Sequence, residues 1–368
     1  MPLHVSEEIL SITGEDGSCP EKYRELISDD DLLEIIRLVI FNRAFDRRTT
    51  MLQRQGRLGF AMTSTGEEAV TIGAPYCLEE NDPIFLQYRE LGALLWRRVD
   101  LELIFDQLIG NSRDLSKGRQ MPVHYCFADW QIPSVSSPVG TQLPHACGYA
   151  YAARLRGTGQ VALAFLGEGT ASQGDFHTAL NFSGVLRAPV VYVIRNNGYA
   201  ISTPESRQTA ATSLAARAAG YGMAGVRVDG NDLLAVVNVV GEAVRWAREG
   251  NGPTLIEALT YRMGAHSSAD DPSAYRTEGE KEDWLAVDAL PRMIRHAEWR
   301  GIWREGTDDE MRAAAEEEIQ RAIEACEKWP PPRVETLFDD VYEGIPEHLR
   351  EQKEAYLHYL RRKTAERL

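Results

Sequence analysis

The stretch Val161-Ala-Leu-Ala-Phe-Leu166-Gly167-Glu168-Gly169, followed about twenty residues later by Val190-Val-Tyr-Val-Ile-Arg195-Asn196-Asn197-Gly198-Tyr199, decides the architecture. Both apolar runs are rich in Val, Ile and Leu without polar alternation, the pattern of strands covered on both faces. Between them Phe176, Ala179, Leu180 and Ser183 fall on one helical stripe, so the unit reads as strand, helix, strand. A right-handed crossover makes the two strands parallel, and their C-terminal ends point the same way. Glu168 stands just past the first end and Asn197 just past the second, so a carboxylate and an amide converge on one crevice. Two such oxygens and a nearby main-chain carbonyl suit Mg2+, which keeps few protein ligands and completes its shell with phosphate and water. The helix begins near Gly169, which turns its first amides toward the phosphates such a metal bridges. Taken alone, Gly167-Glu168-Gly169 is equally well explained as a tight strand-to-helix turn.

Two familiar phosphate motifs fail here. A dinucleotide fingerprint wants a third glycine where Ser172 stands, and a P-loop wants lysine where Asp175 would repel phosphate.

Composition narrows the class. The 368 residues can bury a sizeable α/β core, and a net charge of −15 argues against nucleic acid and anionic membrane as partners. An anionic ligand therefore needs a local cationic pocket. The five cysteines are odd in number, scattered and without a Cys-x-x-Cys pair, which suggests neither a disulfide framework nor a zinc site. No apolar stretch is long enough to span a bilayer. The N-terminal residues are acidic where a transit peptide would be Arg-rich, and the expectation is a cytoplasmic protein.

Along the chain, residues 1–29 read as an arm, and 30–280 as an α/β domain with a mostly parallel sheet and helices on both faces. Residues 281–329 read as a charged helical segment, and 330–368 as a docking tail. A helix follows Ser28, with Leu32, Ile35, Ile36, Val39 and Ile40 on one face and an acidic first turn. Thr65-Gly-Glu67-Glu68 reads as a capping box before the run from Ala69. Pro83-Ile-Phe85-Leu-Gln87-Tyr88-Arg89-Glu90 reads as a short strand ending in an aromatic and an arginine. Asp232 is a candidate N-cap. The polar stretch Tyr261 to Pro272, with His266, Ser267 and Asp270, is a long loop of the kind that is functional or disordered. Trp329-Pro-Pro-Pro332 stops the helical segment, and beyond it Val334, Leu337, Phe338, Val341 and Tyr342 call for a surface to dock on.

Gly-x-Gly followed about thirty residues later by Asn-Asn resembles the thiamine diphosphate signature. Glu168 replaces the commoner Asp, a departure shared by branched-chain 2-oxo acid dehydrogenases. Gln87-Tyr88-Arg89-Glu90, Lys117-Gly-Arg-Gln-Met-Pro122, Ser136-Ser137-Pro138 with Thr141-Gln142, Arg195-Asn-Asn-Gly-Tyr-Ala-Ile-Ser202 and His266-Ser267-Ser268-Ala-Asp270-Asp271 come after one another in the family's order. From about residue 30 to about residue 345 the chain is therefore similar to the α subunit of the thiamine diphosphate-dependent decarboxylase component of 2-oxo acid dehydrogenase complexes, closest to the branched-chain type.

The resemblance implies a mostly parallel thiamine diphosphate-binding fold with a C-terminal helical extension. It implies Mg2+ on Glu168, Asn197 and the carbonyl of Tyr199, and Arg89 and Arg195 on the diphosphate, a task for which the arginine fork is suited. Gly167, Gly169, Tyr88 and His266 would border the cofactor, and the main chain near Ser137 and Val139 would meet its aminopyrimidine. Phe85, Gln87 and Tyr88 are implied for the substrate pocket, His266, Ser267 and Tyr88 for catalysis, and Ser136, Pro138, Thr141 and Gln142 for a K+ ion. His266 would act as a donor or general acid. The serine at Ser267 is a regulatory phosphorylation site in animal relatives. With Glu67 and Glu68 assigned to a capping box, no residue is left to activate the aminopyrimidine. A β subunit is therefore expected to bring that glutamate, in a heterotetramer of two α and two β chains. The substrate would be a 2-oxo acid and the acceptor a lipoyl-bearing acyltransferase core. Pyruvate or acetoin enzymes are the alternative subtypes, and a non-catalytic assembly subunit the alternative class.

Overall fold

The computed structural model describes residues 6–340 and 342–365. In chain order it runs β1 (Ile9–Leu10), α1 (Asp29–Arg54), α2 (Glu68–Tyr76), β2 (Ile84–Phe85), α3 (Leu91–Trp96), α4 (Leu101–Ile109), α5 (Gln142–Arg156) and β3 (Ala162–Gly167). It continues with α6 (Gly174–Leu186), β4 (Val190–Asn196), β5 (Tyr199–Ala200), β6 (Thr203–Pro204), β7 (Ala224–Asp229), α7 (Leu233–Arg248) and β8 (Thr254–Leu259). Five helices complete the chain: α8 (Glu278–Ala286), α9 (Ala289–Trp299), α10 (Thr307–Cys326), α11 (Thr336–Asp339) and α12 (Glu347–Ala365).

Six strands form one sheet in the order β1-β7-β8-β4-β3-β2, every neighbouring pair parallel. Period-two alternation divides the central strands between two layers. Leu163, Phe165, Val191, Val193 and Ile256 pack into the core that also holds α1, α2 and α7. Ala162, Ala164, Leu166, Val190, Tyr192, Ile194 and Leu255 pack into the core with α5 and α6. Both faces are covered, which is why β3 and β4 lack polar alternation. Each buried Val, Leu or Ile among them contributes about 1.5–3 kcal/mol.

The segment read as an arm supplies β1, an edge strand beside β7. It is pinned there by Asp232, whose carboxylate accepts from the Ile12 and Thr13 amides at 2.6 and 2.7 Å while also capping α7 through the Ala235 amide at 3.2 Å. The helix expected after Ser28 forms as α1, and Ser28 caps it by accepting from the Asp31 amide. The helical segment joins the same core as the sheet: Ala315, Ile319, Ile323 and Cys326 of α10 are buried in it with α1. Past the prolines, Asp340 pairs with Lys117 at 2.5 Å and Arg119 at 2.8 Å, so the basic turn grips the tail. Leu337 and Tyr342 stay about half exposed, and Val341 lies outside the described residues. The five cysteines are free, and no helix among the described residues is long and apolar enough to cross a membrane.

The capping box does not form. Thr65 Oγ1 donates to Asp46 at 2.7 Å, and Glu68 folds back onto the Gly66 amide at 2.7 Å while pairing with Arg43. Glu67 takes the N-cap position without a side-chain capping bond and turns its carboxylate elsewhere. The local pattern loses here to a buried arginine and an amide far along the chain.

Candidate active site

A cavity of about 380 Å³ opens where the C-terminal ends of β2, β3, β4 and β8 converge. Each strand delivers a short stretch into it: Gln87–Arg89 after β2, Gly167–Thr170 after β3, Arg195, Asn197 and Tyr199–Ile201 from β4 onward, and Arg262 and His266 beyond β8. Ser137, Val139 and Gln173 complete the wall.

Local hydrogen bonds explain the aim of these side chains. After β2 the chain turns on Glu90, whose carboxylate accepts from the Gln87 and Tyr88 amides at 3.0 and 2.9 Å. Gln87 Oε1 accepts from the Gly167 amide at 2.6 Å, tying the end of β2 to the end of β3. At the end of β4 the two asparagines part. Asn196 donates into the core to Glu257 at 2.8 Å, leaving Asn197 to face the cavity. Beyond them the β5–β6 hairpin turns through Ile201, held at φ 59. A β-branched residue is strained there, and the turn is held by Arg262, which donates to the Ile201 carbonyl at 2.8 Å.

Beneath the cavity lies a buried ion network. Arg195 is 2% exposed and its guanidinium lies between Glu67 and Glu90, paired with both. Glu67 also accepts from Asn197 Nδ2 at 2.9 Å and stands 3.7 Å from Arg89. Burial pushes the Glu67 carboxyl up, but the charges of Arg195 and Arg89 outweigh it and hold it below the usual range. Glu168 is in the opposite situation. It is 3% exposed, pairs with no cation among the described residues, accepts a long 3.4 Å bond from the Asn197 amide, and burial pushes its carboxyl above the usual range. A carboxylate so weakly compensated at a cavity wall is suited to receive a cation.

His266 sits between two guanidiniums. Its Nδ1 is 3.4 Å from both Arg89 Nη2 and Arg262 Nη1, so that nitrogen accepts and the proton belongs on Nε2. The ring meets Tyr88 edge-on at 6.2 Å. Burial and then the charges of Arg89 and Arg262 lower its pKa to about 4, which makes it a neutral donor at pH 7 and not an imidazolium acid. An NMR pH titration is expected to place its midpoint near 4, and Arg262→Gln to move it up because a like charge is removed. The unfolded chain takes up this proton near 6.5, well above the folded value. The folded state therefore loses stability as pH falls from 6.5 toward 4.

A family model described as "Dehydrogenase E1 component" matches residues 36–335. The chain belongs to the dehydrogenase E1 component family. It is 42% identical over 332 residues to the human mitochondrial 2-oxoisovalerate dehydrogenase subunit alpha, covering 90% of this chain and 75% of that one. The Bos taurus protein of the same name is 42% identical over 335 residues, covering 91% of this chain and 74% of its own. The Caenorhabditis elegans protein is 43% identical over 304 residues, covering 82% and 70%. The likeness to branched-chain α subunits drawn from the motifs is borne out. The expectation of a cytoplasmic location is overturned, since these relatives are named as mitochondrial. The acidic character of the first residues was weak ground for it, because targeting segments are read and removed apart from the fold.

In this E1 component the structure gathers most of the expected residues. Tyr88, Arg89, Ser137, Val139, Gly167, Glu168, Gly169, Arg195, Asn197, Tyr199 and His266 all line the one cavity, with Gln87 beside them. Phe85 does not; it is buried in the layer with α5, against Tyr149 at 6.1 Å. Strand alternation would give it the face of Gln87, but β2 ends at Phe85 and the Glu90 turn breaks the alternation. Ser267 also stays off the wall. Its Oγ accepts from the Ala269 amide at 3.3 Å and its carbonyl from the Asp270 amide at 3.1 Å, so it shapes the loop. Ser136, Pro138 and Thr141 lie in the turn before α5 and Gln142 opens that helix, and none of the four lines the cavity. There Thr141 Oγ1 donates to the Pro138 carbonyl at 3.0 Å, and Gln142 Oε1 accepts from the Gly140 amide at 3.2 Å.

The sequence pattern gave no notice of Thr170, Gln173, Ala200, Ile201 and Arg262 on the wall or of Glu67 and Glu90 behind it. Arg262 had a usable signal, because it comes after the Thr254–Leu259 run as Asn197 comes after its own strand. Arg276 had none. It lies 4.8 Å over the Tyr199 ring and 4.6 Å over Tyr261, bracing the loop from residue 262 against the hairpin.

Proposed function

We propose that this chain is the α subunit of a branched-chain 2-oxo acid dehydrogenase E1 component, which decarboxylates branched-chain 2-oxo acids and passes the acyl group to a lipoyl arm. The observation that carries it is the convergence of Glu168, Asn197 and the Tyr199 carbonyl with Arg89 and Arg195 at one sheet edge, in a chain 42% identical to 2-oxoisovalerate dehydrogenase α subunits.

The residues present fit thiamine diphosphate and Mg2+. The weakly compensated Glu168, the Asn197 carboxamide and the Tyr199 carbonyl would hold the metal, as hard oxygen donors do. Arg89 and Arg195 supply positive charge beside it, and Arg195 Nε and Arg262 Nε are buried donors without a hydrogen-bond partner. When bound, the cofactor supplies the nucleophilic carbon and the electron sink that decarboxylation requires. This chain's own share is to neutralise the diphosphate, to present an N–H from neutral His266, and to shape the pocket with Gln87 and Tyr88. A K+ ion in the turn before α5 would take oxygens of Ser136, Pro138, Thr141 and Gln142, steadying the main chain at Ser137 and Val139.

A β subunit completes the site in this reading. Among the described residues lining the cavity Glu168 is the sole carboxylate, and both oxygens of nearby Glu67 are engaged. No acid is left free to activate the cofactor ring. With α and β chains together, kcat/KM for 3-methyl-2-oxobutanoate is expected to exceed that for pyruvate by at least about tenfold, the discrimination available from one or two methyl groups in an apolar pocket. A preference for pyruvate would sink the branched-chain subtype.

A further inference from the structure

The residue that the sequence pattern assigns to a helix cap is the most deeply placed acid of the site. Glu67 is fully buried, and the turn that delivers it is built for it. Gly66 adopts φ +99, and a Cβ there would lie 2.0 Å from the Tyr261 carbonyl, so only glycine lets the loop after β8 close over the start of α2. One Glu67 oxygen pairs with Arg195 and the other accepts from Asn197 Nδ2 at 2.9 Å.

We propose that Glu67 is a positioning residue: its carboxylate fixes the orientation of the Asn197 carboxamide so that Oδ1, and not Nδ2, faces the divalent metal. The inference rests on the reading of Glu168, Asn197 and Tyr199 as the metal site. A carboxylate has acceptors only, so the Asn197 atom against Glu67 must be the NH2 group. Oδ1 is thereby left on the other side, with a single long 3.3 Å bond from the Tyr199 amide and a lone pair to spare. The reversed amide would oppose two oxygens across 2.9 Å and turn N–H groups toward the cation. Arg195 pairs with Glu67 and Arg89 stands 3.7 Å from it, so the group that faces Asn197 is a carboxylate held between two guanidiniums. Glu90 serves as the internal comparison. It pairs with the same Arg195, but its other bonds go to the Gln87 and Tyr88 amides, with none to Asn197.

The test uses the full chain assembled with its β subunit and thiamine diphosphate, with bound Mn2+ measured by EPR titration and the unfolding temperature recorded for each variant. Glu67→Gln is expected to weaken Mn2+ binding by about tenfold to a hundredfold, the range for a residue that orients a metal ligand. Glu67→Asp keeps the charge but withdraws it from Asn197, and is expected to show a comparable loss even if Glu67→Gln does not fold. Glu90→Gln is expected to change Mn2+ affinity by no more than about twofold, because it takes charge from Arg195 without touching Asn197. In Glu67→Gln with Asn197→Asp, the new amide donates to one carboxylate oxygen and leaves the other for the metal. That double variant is expected to bind Mn2+ more tightly than either single one, a coupling expected only of side chains in contact. Equal losses in Glu67→Gln and Glu90→Gln, or purely additive behaviour of the double variant, would show that Glu67 is only a counterion. Mn2+ bound normally by both Glu67 variants overturns the inference and leaves the metal site standing. Mn2+ that does not bind the wild-type protein overturns both.

Discussion

In Glu168→Ala, Mg2+-dependent binding of thiamine diphosphate is expected to disappear, and turnover with the β subunit to fall by at least about a hundredfold. The lower bound is set by what orienting partners alone contribute to metal sites, roughly tenfold to a hundredfold; a direct ligand carries more. Calorimetric titration with Mg2+ and again with EDTA checks it: the two isotherms differ in the wild-type protein and coincide in the variant. The metal-free variant is expected to be as stable as the wild type or slightly more so. Glu168 is buried with one long hydrogen bond, and burial raises its pKa, so without a cation its charge opposes folding. An ordinary structural carboxylate would behave the other way, with stability lost and cofactor binding kept. That pattern would refute the assignment.

Arg195→Met is expected to be the most destabilising single change at the site, at about 3–5 kcal/mol. Total stability of a folded domain is about 5–15 kcal/mol, so this is a large fraction. The loss comes less from the attraction removed than from what is left behind: Glu67 and Glu90, both fully buried, lose the guanidinium between them. The pH dependence identifies the cause. Without Arg195 both carboxyls rise in the folded state above their unfolded values, because burial already pushes Glu90 up and the charge of Arg195 is part of what holds Glu67 down. A raised carboxyl pKa contributes stability below the unfolded value and loses it as pH rises through the folded one. Urea unfolding is therefore expected to show a smaller deficit near pH 5 than near pH 8. A deficit independent of pH would mean that lost packing of the arginine stem dominates.

Much of the site was legible because strand ends are encoded locally. Val190 to Asn196 cannot be anything but a covered strand, so the next residue must lie at the sheet edge, and Asn197 does. The same reasoning placed Glu168, and it would have placed Arg262 had it been applied to the strand that ends at Leu259. Phe85, implied for the pocket by the family resemblance alone, lies in the core, and two strand residues before a tight turn carry no dependable alternation that could have placed it. The local reading did fail at Thr65 to Glu68. The spacing of a capping box is necessary for the cap but does not exclude stronger partners, and Asp46, Arg43 and Arg195 are stronger than the orphan amides of one helix turn.

The division reflects the range of the forces involved. Hydrophobic periodicity and the residues at strand ends are short-range properties of the chain, and from them the parallel sheet, the position of the crevice and the placement of Glu168 and Asn197 at it could be read. Which charges neutralise which is long-range. Glu67 meets Arg195 across 128 residues and Asn197 across 130, and the His266 pKa is lowered by burial and then by the charge of Arg89, 177 residues before it. Coulomb interactions at a few ångströms in a water-poor interior decide those protonation states and amide orientations. They exist only once β8, β4, β3 and β2 lie side by side with the start of α2 beneath them.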